Sequence, residues 1–297
     1  MPLRSLTVSL ETWRFLLKLC VSVTLAARGW LTMRWDSPLR SVAWNEDWWA
    51  APLESIAGIP WEKVALHSDE FLSRLFDVIG LFLIGVAILL WVLRGNPIAV
   101  LLSIATLVLL LDGLGRWVAS GYQFGMAIEH ALQIVTPVAW ILRSRLEKWP
   151  RVWGLLFFIA AAMTFLGHGL YAAGVHPVPL SYQTMTMKLL FMSQETALIF
   201  LTVAGWLDIL VAGTLFVPRL REISLLYMVA WGGLTALARI ASHIGLEQPL
   251  FGLDPWLAET FVRTPHWLLP LLALFLLRGL GEKTEPKSVL ETRNTAG

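Results

Sequence analysis

Charge is scarce in this chain. Only 15% of its 297 residues are Asp, Glu, Lys or Arg, against about 25% in an ordinary soluble globular chain. The net charge is +2, so there is no broad basic face for nucleic acid. The single cysteine, Cys20, excludes an intrachain disulfide, a paired-thiol redox centre and an iron–sulfur cluster built by this chain alone. A packing role in an apolar helix is left for it. No nucleophile elbow, P-loop, dinucleotide fingerprint or zinc-protease helix occurs, which removes the common soluble catalytic signatures. No helix carries the paired histidines of a bundle haem, although a single axial ligand stays open. There is no HxxxH or HxxEH spacing, so any metal site would have to draw its ligands from separate helices.

What the chain does have is apolar length. It is 57% hydrophobic, with a mean hydropathy of +0.66. The apolar residues form eight blocks, near 15–33, 73–93, 97–117, 127–143, 152–173, 195–216, 223–243 and 263–280. Each is long enough to cross about 30 Å of hydrocarbon as a helix. The runs are continuous, which excludes the alternating pattern of a membrane barrel. Lipid offers no water to the backbone, so helices remain. The fold class expected is all-α integral membrane with eight transmembrane helices.

The blocks read as two parallel four-helix repeats. Arg28 near the end of the first block answers His168 near the end of the fifth. Gly80 to Arg94 and Gly205 to Arg219 have the same spacing. Asp112 and Arg116 close the third block as Thr235 and Arg239 close the seventh, and Pro137 and Pro270 interrupt the fourth and eighth. With four spans each, both halves start from the same side, so the repeats are parallel and not inverted. The expected units are 1–148 with a Trp-rich outer loop at 34–72, then 149–281, then a disordered cytoplasmic tail, 282–297. Arg4, Arg14 and Lys18 before Leu25-Ala26-Ala27 resemble a secretory leader. Leu25 is large for the cleavage position, and removal would take from one half a helix that the other keeps, so the segment is expected to stay.

Lys and Arg orient the bundle. Arg94, Arg143, Arg145, Lys148, Arg151, Arg219, Arg221, Lys283, Lys287 and Arg293 all fall on one side. The positive-inside rule then makes both termini cytoplasmic, in the inner (plasma) membrane of a bacterium. The opposite segment 34–72 holds Trp35, Trp44, Trp48, Trp49 and Trp61. Within it, 38–70 is expected to form one or two short surface helices, either lidding the bundle or serving as an aromatic belt.

Ionisable residues at membrane depth are costly and usually face the interior. Most lie toward the outer face. Asp112 and Arg116, four apart, share a helix face and can pair. Arg239 lacks such an acid and needs Glu195, Asp77 or Glu129, a headgroup phosphate reached by snorkelling, or a ligand. His168 stands between Gly167 and Gly169, which lets a helix or ligand come close. The ligand-binding candidates are His168, Arg239, Glu195, Arg28, Arg116, Asp112, His130, His243, Arg263 and His266. Asp208, deeper in the sixth block, is the candidate for a proton path. Such cations and imidazoles over an apolar floor suit a quinone ring, a lipid headgroup or a small oxyanion.

Over residues 152–280 the chain resembles the DoxX-like family of small four-helix bacterial membrane proteins. The residues that carry the likeness are Gly167-His168-Gly169-Leu170-Tyr171, Gly205-Trp206-Leu207-Asp208 and Gly232-Gly233-Leu234-Thr235-Ala236-Leu237-Ala238-Arg239. The first half looks like a degenerate second copy. The resemblance implies a link to respiratory or sulfur redox functions, hence a quinone- or amphiphile-binding subunit with a redox partner protein. The Trp-rich loop also resembles that of the horizontally transferred transmembrane domain family. A proton-coupled transporter or lipid-handling protein, and a structural scaffold, are the competing expectations.

Overall fold

Hydrocarbon on all sides forces each backbone N–H and C=O to be satisfied within the chain, and the chain is accordingly helical. The structure is a computed structural model and describes residues 8–244 and 253–279. The tail 282–297 and the N-terminal charges around Arg4 lie outside the described residues. The elements run α1 (Leu10–Trp35), α2 (Leu39–Ala43), α3 (Glu46–Pro52), α4 (Trp61–Val92), α5 (Asn96–Ala119), α6 (Phe124–Ile128) and α7 (Ala131–Ile141). They continue with α8 (Arg143–Lys148), α9 (Pro150–Ala172), α10 (Leu180–Leu190), α11 (Gln194–Thr214), α12 (Arg221–Ala241), α13 (Leu253–Phe261) and α14 (Thr264–Arg278). Among the described residues, eight spans are long and apolar enough to cross a membrane: α1, α4, α5, α6 with α7, most of α9, α11, α12, and α13 with α14. The chain is a multi-pass membrane protein.

Local chemistry sets the helix ends. Ser9 accepts from the backbone N–H of Thr12, and Ser193 from that of Thr196, each satisfying a donor that the first turn leaves free. Pro97, Pro150 and Pro265 start α5, α9 and α14, where the missing N–H costs nothing.

The eight spans form an inner and an outer set. Between 56% and 72% of the apolar window is buried in α1, α6–α7, α9 and α13–α14, but only 28–33% in α4, α5, α11 and α12. α1, α7, α9 and α14 pack together at the centre. Around them, α4 lies on α1, α5 on α7, α11 on α9 and α12 on α14. The core around Trp13, Leu17, Phe157, Leu225 and Leu272 is apolar. Trp13 meets its one polar need by donating to the carbonyl of Leu272 at 3.1 Å.

Two glycine pairs fix how the outer helices seat. A Cβ on Gly29 would stand 2.5 Å from the Gly80 carbonyl oxygen, and one on Gly169 would stand 2.8 Å from that of Gly205. No side chain fits there, so α1 crosses α4, and α9 crosses α11, backbone to backbone.

Three expectations about extent change. The second span starts at Trp61, not near residue 73, so α4 projects well beyond the bundle and absorbs part of the Trp-rich segment. What remains, α2, α3 and a π-helical turn at Leu53–Ala57, covers the end of α5. The Pro38 carbonyl meets Gly115 there, and Trp44 donates to Ser68 on α4. The fourth and eighth spans are each broken in two, at Glu129-His130 and at Val262-Arg263. Residues expected to open those helices therefore sit at internal breaks.

Gly205→Val should lower the thermal midpoint of the detergent-solubilised protein, by about 1–3 kcal/mol of overpacking or more. Gly213→Ala, with open space around it, should leave the midpoint unchanged. Equal midpoints for the two variants would refute the close crossing.

Candidate functional site

The broken spans bring polar residues to one end of the bundle, the end that carries the Trp-rich segment. The break after Ile128 leaves the first N–H groups of α7 unpaired by helix, and the Leu132 N–H donates instead to Thr164 Oγ1 on α9 at 3.0 Å. Pro270 has no N–H for the carbonyl of His266, and Gly232 lies close against that oxygen, where a Cβ would be 2.6 Å away.

On one side of this end sits a closed charge cluster. Arg28, 3% exposed, is 3.3 Å from Asp112 and donates to Gln133 at 2.8 Å. Asp112 also holds Arg116, one turn along the same helix, at 3.3 Å. That pair is the one the four-residue spacing predicts. A second four-residue pair, Glu259 with Arg263, spans the break between α13 and α14.

On the other side is a cavity of about 410 Å³ between α11 and α12, roofed by α10. This volume lies in the range of small-molecule sites. Its polar end is formed by His168, Tyr182, Arg239, Arg263 and His266, and its floor by Asp208 and Trp231. Phe200, Leu234 and Leu237 stand on its rim and are exposed on the outer face of the bundle, so the cavity opens sideways toward lipid.

His168 is central to this arrangement. Gly167 lets α6 approach, with the Gly125 carbonyl and Glu129 against it, and Gly169 lets α11 approach, with Gly205 and Asp208 against it. Burial, and then the charge of Glu129, push the Tyr182 phenol up from its ordinary value. It stays protonated, with its hydroxyl 3.0 Å from His168 Nδ1, and Glu129 Oε2 lies 3.4 Å from the same nitrogen. His168 Nε2 is 3.1 Å from His266 Nε2, so one imidazole donates to the other. His266 Nδ1 is buried against the Arg263 backbone. Arg239 Nε is buried and unpartnered.

Of the residues singled out in the sequence, His168, Arg239, Arg263, His266 and Asp208 line the cavity. Arg28, Asp112 and Arg116 belong to the neighbouring closed cluster. His130 is buried beside Glu129, 3.3 Å away, outside the cavity lining. His243 is turned away: its ring stacks on Trp256 at 3.6 Å between centroids, and Nδ1 is 2.7 Å from the Arg239 carbonyl oxygen. Glu195 and Asp77 are exposed and form no ion pair among the described residues. Gly205 abuts Ala172 and Ala173 at the end of α9, and Glu195 lies ten residues, about 15 Å of helix, beyond that level. The same projection of α11 changes the place of Asp208. It sits level with Gly169, not deep below it, and accepts from Tyr227 at 2.9 Å.

Sequence reasoning missed Glu259, Tyr182 and Gln133. Glu259 was open to the four-residue rule that found Asp112–Arg116. Tyr182 and Gln133 carry no local signal; only tertiary packing brings them to His168 and Arg28. Among the described residues no three His, Cys, Asp or Glu side chains converge as a metal ion would need. Comparison of the chain with protein-family models, curated proteins and solved structures returns no match.

Asp112→Leu should destabilise the protein by about 3–5 kcal/mol, because it leaves Arg28 buried without a counter-charge, and Arg28→Leu should cost less, because Asp112 keeps Arg116. The double variant should lose less than the sum of the two. Thermal unfolding in detergent measures this, and strict additivity would show that the pair does not interact.

Proposed function

We propose that this protein binds an amphiphile taken from the bilayer. The headgroup sits among His168, Tyr182, Arg239, Arg263 and His266, and the apolar body lies between α11 and α12. One observation carries the reading: a cavity open toward lipid is lined at its polar end by His168, Tyr182, Arg239, Arg263 and His266, and the Arg239 guanidinium there forms no ion pair among the described residues. An unpaired charge at membrane depth is expensive, and a bound headgroup would pair with it.

The finer readings belong to the same proposal. The two halves are parallel repeats of one four-helix unit. Their common features include the glycine crossings Gly29–Gly80 and Gly169–Gly205. They also include spans broken seven residues before Pro137 and Pro270. Both termini are cytoplasmic in a bacterial inner membrane, which puts the site near the outer leaflet. The DoxX-like resemblance supports a redox-associated role, with a quinone as one candidate amphiphile and a membrane redox protein as partner.

A second reading, proton-coupled transport, draws on Asp208, a buried carboxylate that lines the same cavity and accepts from Tyr227. Intramembrane carboxylates commonly mark ion paths. In liposomes loaded with a pH-sensitive dye, Asp208→Asn should then abolish amphiphile-driven proton flux.

The binding reading is tested by purifying the protein from its own membranes and extracting bound small molecules for mass spectrometry. One amphiphile near one per chain is expected, and Arg239→Leu should reduce its occupancy at least about tenfold, the scale of losing a charged hydrogen-bond donor. A preparation that carries no amphiphile, and takes up neither quinone nor lipid, would refute the proposal.

A further inference from the structure

The buried charges at the Trp-rich end are unevenly paired. Four guanidiniums lie there, those of Arg28, Arg116, Arg239 and Arg263, with the carboxylates of Asp112, Glu129 and Glu259, and Asp208 on the cavity floor. An uncompensated charge in a low-dielectric interior is costly.

One guanidinium is left without a direct counter-ion. Arg28 and Arg116 each lie 3.3 Å from Asp112, and Arg263 is paired with Glu259. Arg239 forms no ion pair among the described residues, is 8% exposed, and has its Nε buried without a partner.

The first half shows what is missing there. Arg28 on α1 bonds Gln133, four residues before Pro137, and both stand beside Asp112 and Arg116 on α5. His168 on α9 bonds His266, four residues before Pro270, and both line a cavity with Thr235 and Arg239 on α12. Asp112 precedes Arg116 by four residues, as Thr235 precedes Arg239. Each member has a polar counterpart except the carboxylate. Thr235 supplies no charge, and its hydroxyl donates back to the Trp231 carbonyl at 2.9 Å. The place that Asp112 fills in one half is part of the cavity in the other.

We infer that the cavity takes a long-chain carboxylate, whose carboxyl group occupies beside Arg239 and His266 the place that Asp112 occupies beside Arg116 and Arg28. The carboxylate supplies the counter-charge that Arg239 lacks and accepts from its guanidinium. Its chain runs between Phe200, Leu234 and Leu237 into the bilayer. This inference rests on the amphiphile reading and narrows it, because a quinone brings no negative charge.

The test uses delipidated full-length protein in phosphatidylcholine nanodiscs, with radiolabelled hexadecanoate as probe. Methyl hexadecanoate, phosphatidylglycerol and ubiquinone serve as competitors. Saturable binding of hexadecanoate near one per chain is expected, with the ester weaker by at least about tenfold, the scale of losing a charged hydrogen-bond partner. Thr235→Asp should reduce hexadecanoate binding to a similar degree while keeping or raising the thermal midpoint, because the chain then supplies its own carboxylate. Arg239→Gln should also lose binding. Equal displacement by acid and ester, or unchanged binding by folded Thr235→Asp protein, would overturn the inference. If ubiquinone or phosphatidylglycerol binds and hexadecanoate does not, this inference falls while the amphiphile reading stands. If nothing binds, both fall.

Discussion

The buried ion pair between Arg28 and Asp112 is the constraint on which one end of this bundle depends. Neither group can reach water, so each is held in place by its need for the other. Asp112 ties α5 to α1, and Gln133 adds α7 through the same guanidinium. Three helices are thus registered by polar contacts at a depth where apolar packing alone permits sliding. The carbonyl of Pro38 then settles on Gly115, one turn past Asp112. The Trp-rich surface helices consequently cover this side of the end and leave the other to α10.

Helix breaks deliver the rest of the site. A continuous helix directs its side chains along fixed faces, and its backbone groups serve only itself. Interrupting the fourth and eighth spans at Glu129-His130 and Val262-Arg263 changes the direction of the chain beside the most polar residues. It also exposes backbone groups that neighbours then satisfy, as Thr164 does for Leu132. Irregular backbone at membrane depth is tolerated where it is enclosed by protein or lines a cavity, and both breaks meet that condition.

Much of this was legible in the sequence, and the gaps have physical causes. The eight apolar blocks correspond to the eight spans, because crossing hydrocarbon needs length and apolarity and little else. The Asp112–Arg116 pair followed from helical periodicity, and the glycines around His168 correctly marked close helix approach. The breaks escaped notice because one or two non-helical residues leave hydropathy unchanged. The start of α4 was hidden because its first turns are polar and project beyond the apolar block. Depth was misjudged for Asp208 and Glu195 because position along a helix gives depth only if all helices begin at one plane. α11 begins well beyond the end of α9. The link between His168 and Tyr182 joins separate elements through packing that no local spacing encodes.

The sideways opening between α11 and α12 changes what concentration means for any occupant. A molecule that arrives through the rim of Phe200, Leu234 and Leu237 has already left water, and its partition into lipid precedes its recognition by the protein. Occupancy then follows its mole fraction among the surrounding lipids, not its solubility. A water-soluble analogue with the same headgroup would compete poorly, however well it matched the polar end. Lateral diffusion in two dimensions, and the rate at which neighbouring acyl chains yield, would govern exchange.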